Sequence, residues 1–112
     1  MRIELLIEKV SVWARARNLI KGSSSKDQTL KLIQEVGELS DNVCKGRCIK
    51  DDVGDCLVVL NNIALQNKTT LSECLELAYN DIKNRKGVMK DGIFIKEADF
   101  DQINNGNVQE KE

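Results

Sequence analysis

The chain has 112 residues, 41% of them apolar, with no histidine and no proline. That length fits one domain with a small core, and the missing histidine removes Ser/His and Cys/His nucleophile pairs and every His-containing zinc site. Eighteen acids against seventeen bases leave a net charge of −1, so no global field points to nucleic acid or membrane as a partner.

The N-terminal MRIELLIEKV carries acids where a signal peptide has none. No run approaches the roughly 18 apolar residues of a membrane span, so a cytoplasmic location is expected. Ile3, Leu6, Ile7, Val10, Trp13, Ala14 and Ile20 recur mostly at helical intervals. They predict an amphipathic helix over about 2–20, with Trp13 in the core. Gly22-Ser23-Ser24-Ser25 ends it as a solvated linker with no phosphate-binding role expected, and Asp27 opens a second helix to about 45. Leu32, Val36, Leu39 and Val43 form the stripe of that helix, Leu30 and Ile33 widen it, and Gly46 stands where a C-terminal cap belongs. The third helix, about 50–67, is apolar almost all round (Val53, Cys56, Leu57, Val58, Val59, Leu60, Ile63), which predicts burial on most sides. Thr70-Leu71-Ser72-Glu73 is the capping box of a fourth helix reaching about Lys86, with Leu71, Leu75, Ala78 and Ile82 as its stripe. Beyond Gly87, the dipeptide Asp91-Gly92 between apolar pairs has the pattern of a small hairpin. The polar residues 101–112 are expected to form a disordered tail. The sum is an all-α chain: an antiparallel four-helix bundle over residues 1–100 with a short C-terminal extension. Cys44, Cys48, Cys56 and Cys74 lack the paired spacing of zinc knuckles and read as reduced, buried small hydrophobes.

Carboxylates on the two middle helices carry the chemistry. Glu35-Val36-Gly37-Glu38 and Asp52-Val53-Gly54-Asp55 each place two acids at i and i+3, on neighbouring positions of one helix face. Each pair encloses a Val-Gly dipeptide. A mid-helix glycine costs about 1 kcal/mol relative to alanine, so the repetition predicts a close approach of the two helices there. At about 100° per residue, Asp52, Asp55, Val59 and Asn62 fall on one line of an otherwise apolar cylinder. Two like charges about 4 Å apart repel by roughly 4 kcal/mol at an effective dielectric near 20, so buried acids need compensation. Nearby lysines are one source, and Lys31, four residues before Glu35, reads as an ion-pair partner. A divalent cation is the more compact source, and all-oxygen ligation selects Mg²⁺ or Mn²⁺. Acids at this spacing also decorate ordinary solvated helix faces, and the pattern alone leaves both readings open.

Glu35-x-x-Glu38, thirteen residues, then Asp52-x-x-Asp55 resembles the signature of the MazG-like all-α nucleoside triphosphate pyrophosphohydrolases. The likeness continues in Asn62, seven residues after Asp55, and in Asn80, Lys83, Arg85 and Lys86, which resemble an Asn-x-x-Lys motif with cations beyond it. Tyr79–Gly87 and Gly92–Glu97 resemble the small phage and Gram-positive members, and the likeness spans about residues 28–97. Gln34 stands where the family carries its first glutamate, and Asp52 replaces a glutamate of the second half.

The resemblance implies Mg²⁺, with Mn²⁺ as a substitute, on Glu35, Glu38, Asp52 and Asp55. It implies hydrolysis of a ribo- or deoxynucleoside triphosphate to the monophosphate and pyrophosphate. Lys83 would hold the phosphate tail, helped by Arg85, and Asn62, Asn80 and Tyr79 would contact sugar, base or phosphate. It also implies a homo-oligomer, dimer or tetramer, with sites near subunit interfaces. A non-catalytic helical module, binding a nucleotide or another protein through the same acids, is the alternative. Nucleic acid is not an expected partner, because the basic cluster Lys83–Lys90 lacks interleaved aromatics.

Overall fold

The computed structural model describes residues 1–100, so the tail expected over 101–112 lies outside the described residues. Four helices, α1 (Ile3–Ala16), α2 (Ser25–Cys44), α3 (Lys50–Gln66) and α4 (Leu71–Ile82), precede strands β1 (Gly87–Lys90) and β2 (Ile93–Lys96) and a 3₁₀ turn at Glu97–Asp99. The chain divides into two compact units, Met1–Cys74 and the residues from Leu75 onward. The fold is therefore mostly helical with a small antiparallel hairpin.

In the first unit, α2 and α3 make the principal packing and α1 lies against α3. Gln28 meets Asn62 at one end of the α2–α3 contact and Asn42 meets Asp52 at the other, so the two helices run antiparallel. α1 stops at Ala16, short of the expected 20, because Asn18 turns left-handed at φ +60°. The Asn18 N–H then donates to Arg15 O at 3.0 Å and the Leu19 N–H to Ala14 O at 2.9 Å. These two bonds form a Schellman closure, which satisfies carbonyls left over at the helix end. The same closure ends α2 at Gly46 (φ +68°), as the sequence indicates, and α3 at Lys68 (φ +59°).

α2 starts two residues before Asp27. Ser24 is its N-cap: Ser24 Oγ accepts from the Asp27 N–H at 3.1 Å, and the Asp27 carboxylate accepts from the Ser24 N–H at 2.8 Å. Hydrogen bonds to the carboxylate from the Ser24 backbone N–H first, and from the Ser24 side chain, hold the Asp27 carboxyl below its usual pKa. At α4, Thr70 Oγ1 accepts from the Glu73 N–H at 3.0 Å, as its capping sequence predicts. That helix ends at Ile82 and not Lys86, where the backbone turns into β1. The hairpin forms as expected, with Val88 opposite Ile95 and Met89 opposite Phe94. Left-handed Asp91 and Gly92 make its turn, a geometry that matches the twist of the strands.

The interior of the first unit is thin. Its buried apolar residues are Ala14, Ile20, Val59 and Ala64, and no large side chain is fully buried. Expectations of burial fail here. Val53, Leu57 and Leu60 keep a face of α3 open to solvent, although the helix is apolar nearly all round. Trp13 is 47% exposed, with the Arg17 guanidinium 5.5 Å from its ring centre, and is no core residue. Cys44, Cys48 and Cys74 are exposed and Cys56 is half-buried; all four are free thiols. α2 and α1 cover only two sides of α3, and apolar periodicity does not say what covers the third. Among the described residues, no helix is long and apolar enough to cross a membrane.

Candidate functional site

Polar residues line the contact between α2 and α3. Gln28, Glu35 and Asn42 are seven residues apart, so they form one line along α2. Asp52, Val59 and Asn62 are the buried residues that α3 contributes on the matching line. At one end, Asn62 Nδ2 donates to Gln28 Oε1 at 3.1 Å, and Gln28 Nε2 donates in turn to Ser23 Oγ at 2.9 Å. At the other end, Asn42 Nδ2 lies 3.1 and 3.0 Å from the two carboxylate oxygens of Asp52.

The middle of this seam is carboxylate. Glu35 is only 7% exposed and Asp52 8%, while Asp55 is half-buried and Glu38 exposed. Lys31 pairs with Glu35 Oε1 at 3.3 Å, as its spacing predicts, and also lies 3.4 Å from Gln34 Oε1. Glu35 Oε2 has no hydrogen-bond partner although it is buried, and neither has Asn62 Oδ1. Such orphaned acceptors are rare, because each forfeits its hydration without recovering a bond. The Glu35 charge, then burial, pushes the Glu38 carboxyl above its usual pKa. Burial raises Asp55 likewise, with repulsion from Asp51, Glu35 and Asp52 added. Lys31 opposes both shifts without cancelling them.

All four expected acids therefore share one electrostatic neighbourhood. Among the described residues, however, no three acidic or cysteine side chains gather closely enough to hold a metal ion as they stand. The donor set still suits a hard cation: it is all oxygen, it is under-neutralised, and one buried acceptor lacks any donor. Glu38 and Asp55 are the less buried members, so they have the freedom to swing inward.

The other sequence-derived candidates divide between the two units. Asn62 belongs to the seam, but it bonds Gln28 and no carboxylate. Tyr79, Asn80, Lys83 and Arg85 belong to the second unit. There Lys83 Nζ donates to Asn80 Oδ1 at 3.3 Å, Arg85 pairs with Asp81 at 3.0 Å, and Tyr79 is exposed. The expected close approach at Gly37 and Gly54 is absent: a Cβ at either position would meet nothing within 4 Å. These glycines sit off the buried line, and Gly54 faces α1 across a groove of about 380 Å³ lined by Ile3, Leu6, Leu57 and Val58 with Asp55 beside them. Asn42 and Gln28 were missed. The seven-residue spacing from Glu35 in both directions was the signal that could have found them.

A relative of this chain is an uncharacterized 18.2 kDa protein of the rep-hol intergenic region of Haemophilus phage HP1 (strain HP1c1), 42% identical over 67 residues. The matched segment covers 58% of this chain and 41% of the phage protein, so the chain spans less than half the length of that relative. No protein-family model matches the chain, and no solved structure does.

Proposed function

We propose that the chain is a MazG-like four-helix protomer of a Mg²⁺-dependent nucleotide pyrophosphohydrolase, converting a ribo- or deoxynucleoside triphosphate to the monophosphate and pyrophosphate. The observation that carries this reading is the buried, unpartnered Glu35 Oε2 among carboxyls raised above their usual pKa, Glu38 by the Glu35 charge first and Asp55 by burial first, with repulsion added. Glu35, Glu38, Asp52 and Asp55 would hold the cation. A bound divalent ion supplies positive charge for the triphosphate oxygens and renders water more acidic. Asn42 fixes the Asp52 carboxylate, and Lys31 fixes one oxygen of Glu35, leaving the other free for a ligand. Glu38, the exposed acid whose pKa its neighbour raises, is suited to accept a proton. The groove beside Asp55 gives apolar room for a base or sugar.

Lys83, Asn80, Arg85 and Tyr79 are assigned to the substrate by resemblance, Lys83 to the phosphate tail. Arg85 must leave Asp81 to serve. Copies of the chain covering the open faces of α1 and α3 would complete the thin interior, which supports a dimer or tetramer. Light scattering at micromolar concentration should give that mass, and a monomer would remove this part of the reading.

The enzymatic part is tested by incubating the protein with a panel of ribo- and deoxynucleoside triphosphates and Mg²⁺ or Mn²⁺, measuring pyrophosphate. Glu38→Gln and Asp55→Asn should each abolish release while the helical circular dichroism persists. No release by folded wild type would move the assignment to a non-catalytic nucleotide- or protein-binding module. Full activity in both variants would remove the metal-site assignment.

A further inference from the structure

Basic side chains concentrate at a different place from the acidic seam. Between Glu8 and Asp27 the sequence holds Lys9, Arg15, Arg17, Lys21 and Lys26 and no acid. Folding draws Arg15 and Lys21 together with Lys68, from the end of α3, around a hollow of about 560 Å³ at the α1–α2 corner. Ser24 and Gln66 also line it. Among the described residues, Arg15, Lys21 and Lys68 have no ion-pair partner; the pairs present are Lys31–Glu35, Lys45–Asp41 and Arg85–Asp81. Asp27, the next acid in the chain, is engaged by the Ser24 N–H.

The hollow has a fixed wall and a cation held against local preference. Gln66 Nε2 donates to Ile20 O at 3.2 Å, Ser23 O at 2.9 Å and Ser23 Oγ at 3.1 Å, pinning the connecting loop to α3. Lys68 takes the left-handed position that ends α3, which at the end of α2 belongs to Gly46. That conformation favours glycine, so a lysine there places its charge at the rim of the hollow at a backbone cost.

We propose that this hollow binds a phosphate-bearing anion, independently of the acidic seam. Three unpaired cations around one concavity suit a phosphoryl group, and the volume admits a ligand larger than orthophosphate. The shared chemistry is the phosphoryl dianion, carried by a free inorganic anion or by a nucleotide.

Isothermal titration of the full chain with chelator present, so that no divalent metal can act through the acids, tests this against orthophosphate, pyrophosphate and a nucleoside monophosphate. One saturable site is expected for at least one of them, weakening with added salt. Lys21→Ala and Lys68→Ala should each weaken binding about tenfold, the loss of one charge-assisted contact. Lys68→Gly should weaken it equally while raising the melting temperature, so that lost binding there cannot be ascribed to unfolding. Tighter binding of pyrophosphate than of the monophosphate names the free anion, and the reverse order names a nucleotide; either supports the site. No saturable binding of any of the three, binding of an oligonucleotide alone, or wild-type affinity in a Lys21→Ala/Lys68→Ala double variant would overturn it.

Discussion

At its ends the α2–α3 seam joins amide to amide, Asn62 to Gln28, and amide to carboxylate, Asn42 to Asp52. In its middle, carboxylates face carboxylates, and the buried Glu35 Oε2 meets no donor. The same two helices supply both arrangements, so helix packing alone does not account for the difference. At the ends each amide nitrogen finds an acceptor, although Asn62 Oδ1 receives no donor; in the middle, repulsion between carboxylates is left in place. That uncompensated charge is the observation on which the proposed cation site rests.

Two substitutions and a pH series probe that contrast, in falling order of expected effect. Asn42→Ala strips the donor from both oxygens of Asp52 and should lower stability by about 2 kcal/mol in urea denaturation. An unchanged midpoint would mean that this end is not closed by the amide. Gly37→Ala lies off the seam, where a Cβ meets nothing, and should raise stability by about 1 kcal/mol. A loss instead would reveal a partner packed against that glycine.

The smallest effect is the pH response of the metal-free chain. Raised carboxyl pKa values mean that the folded state holds these protons more tightly than the unfolded state. The associated stability is therefore fully present below the ordinary carboxyl pKa and is lost as pH rises through the raised values of Glu38 and Asp55. Asp27 works in the opposite direction: its contribution is present above the ordinary value and fades as pH falls through its lowered pKa. Thermal melts across that range should show a decline toward neutral pH that Glu38→Gln with Asp55→Asn removes. Added Mg²⁺ should remove it in wild type as well. A decline of equal size in the double variant would place its origin outside the seam.

Much of this was legible in the sequence, and the failures share one cause. Helix positions, the Gly46 closure, the Asp91-Gly92 turn and the Lys31–Glu35 pair follow from spacing and backbone preference, which are local properties. The nearness of Glu35 to Asp52 and Asp55 followed from placing acids at i and i+3 on two facing helices, although no three of the described acids gather closely enough to hold a metal ion as they stand. Trp13, Leu57 and the cysteines were expected inside and stand partly or wholly outside. Apolar character shows that a face prefers cover, and says nothing about whether this chain provides it. The early stop of α1 at Asn18 escaped because asparagine takes the left-handed position only at the right place in a closing turn. Glycine in both acid motifs suggested helix contact, whereas the helices meet along a different line.

The hydrogen bonds from Asn42 to both oxygens of Asp52 also divide the acids by their freedom of motion. A carboxylate tethered at both oxygens has already lost most of its rotational entropy, and Glu35 is confined by burial and Lys31. Glu38 retains its rotamers in solvent. An incoming cation would therefore find stationary oxygens first and immobilise Glu38 last. At the proposed cation site the entropic penalty of binding would fall on Glu38 and, to a lesser degree, the half-buried Asp55, so shortening Glu38 to aspartate should alter the rate of capture more than the geometry of the resting seam.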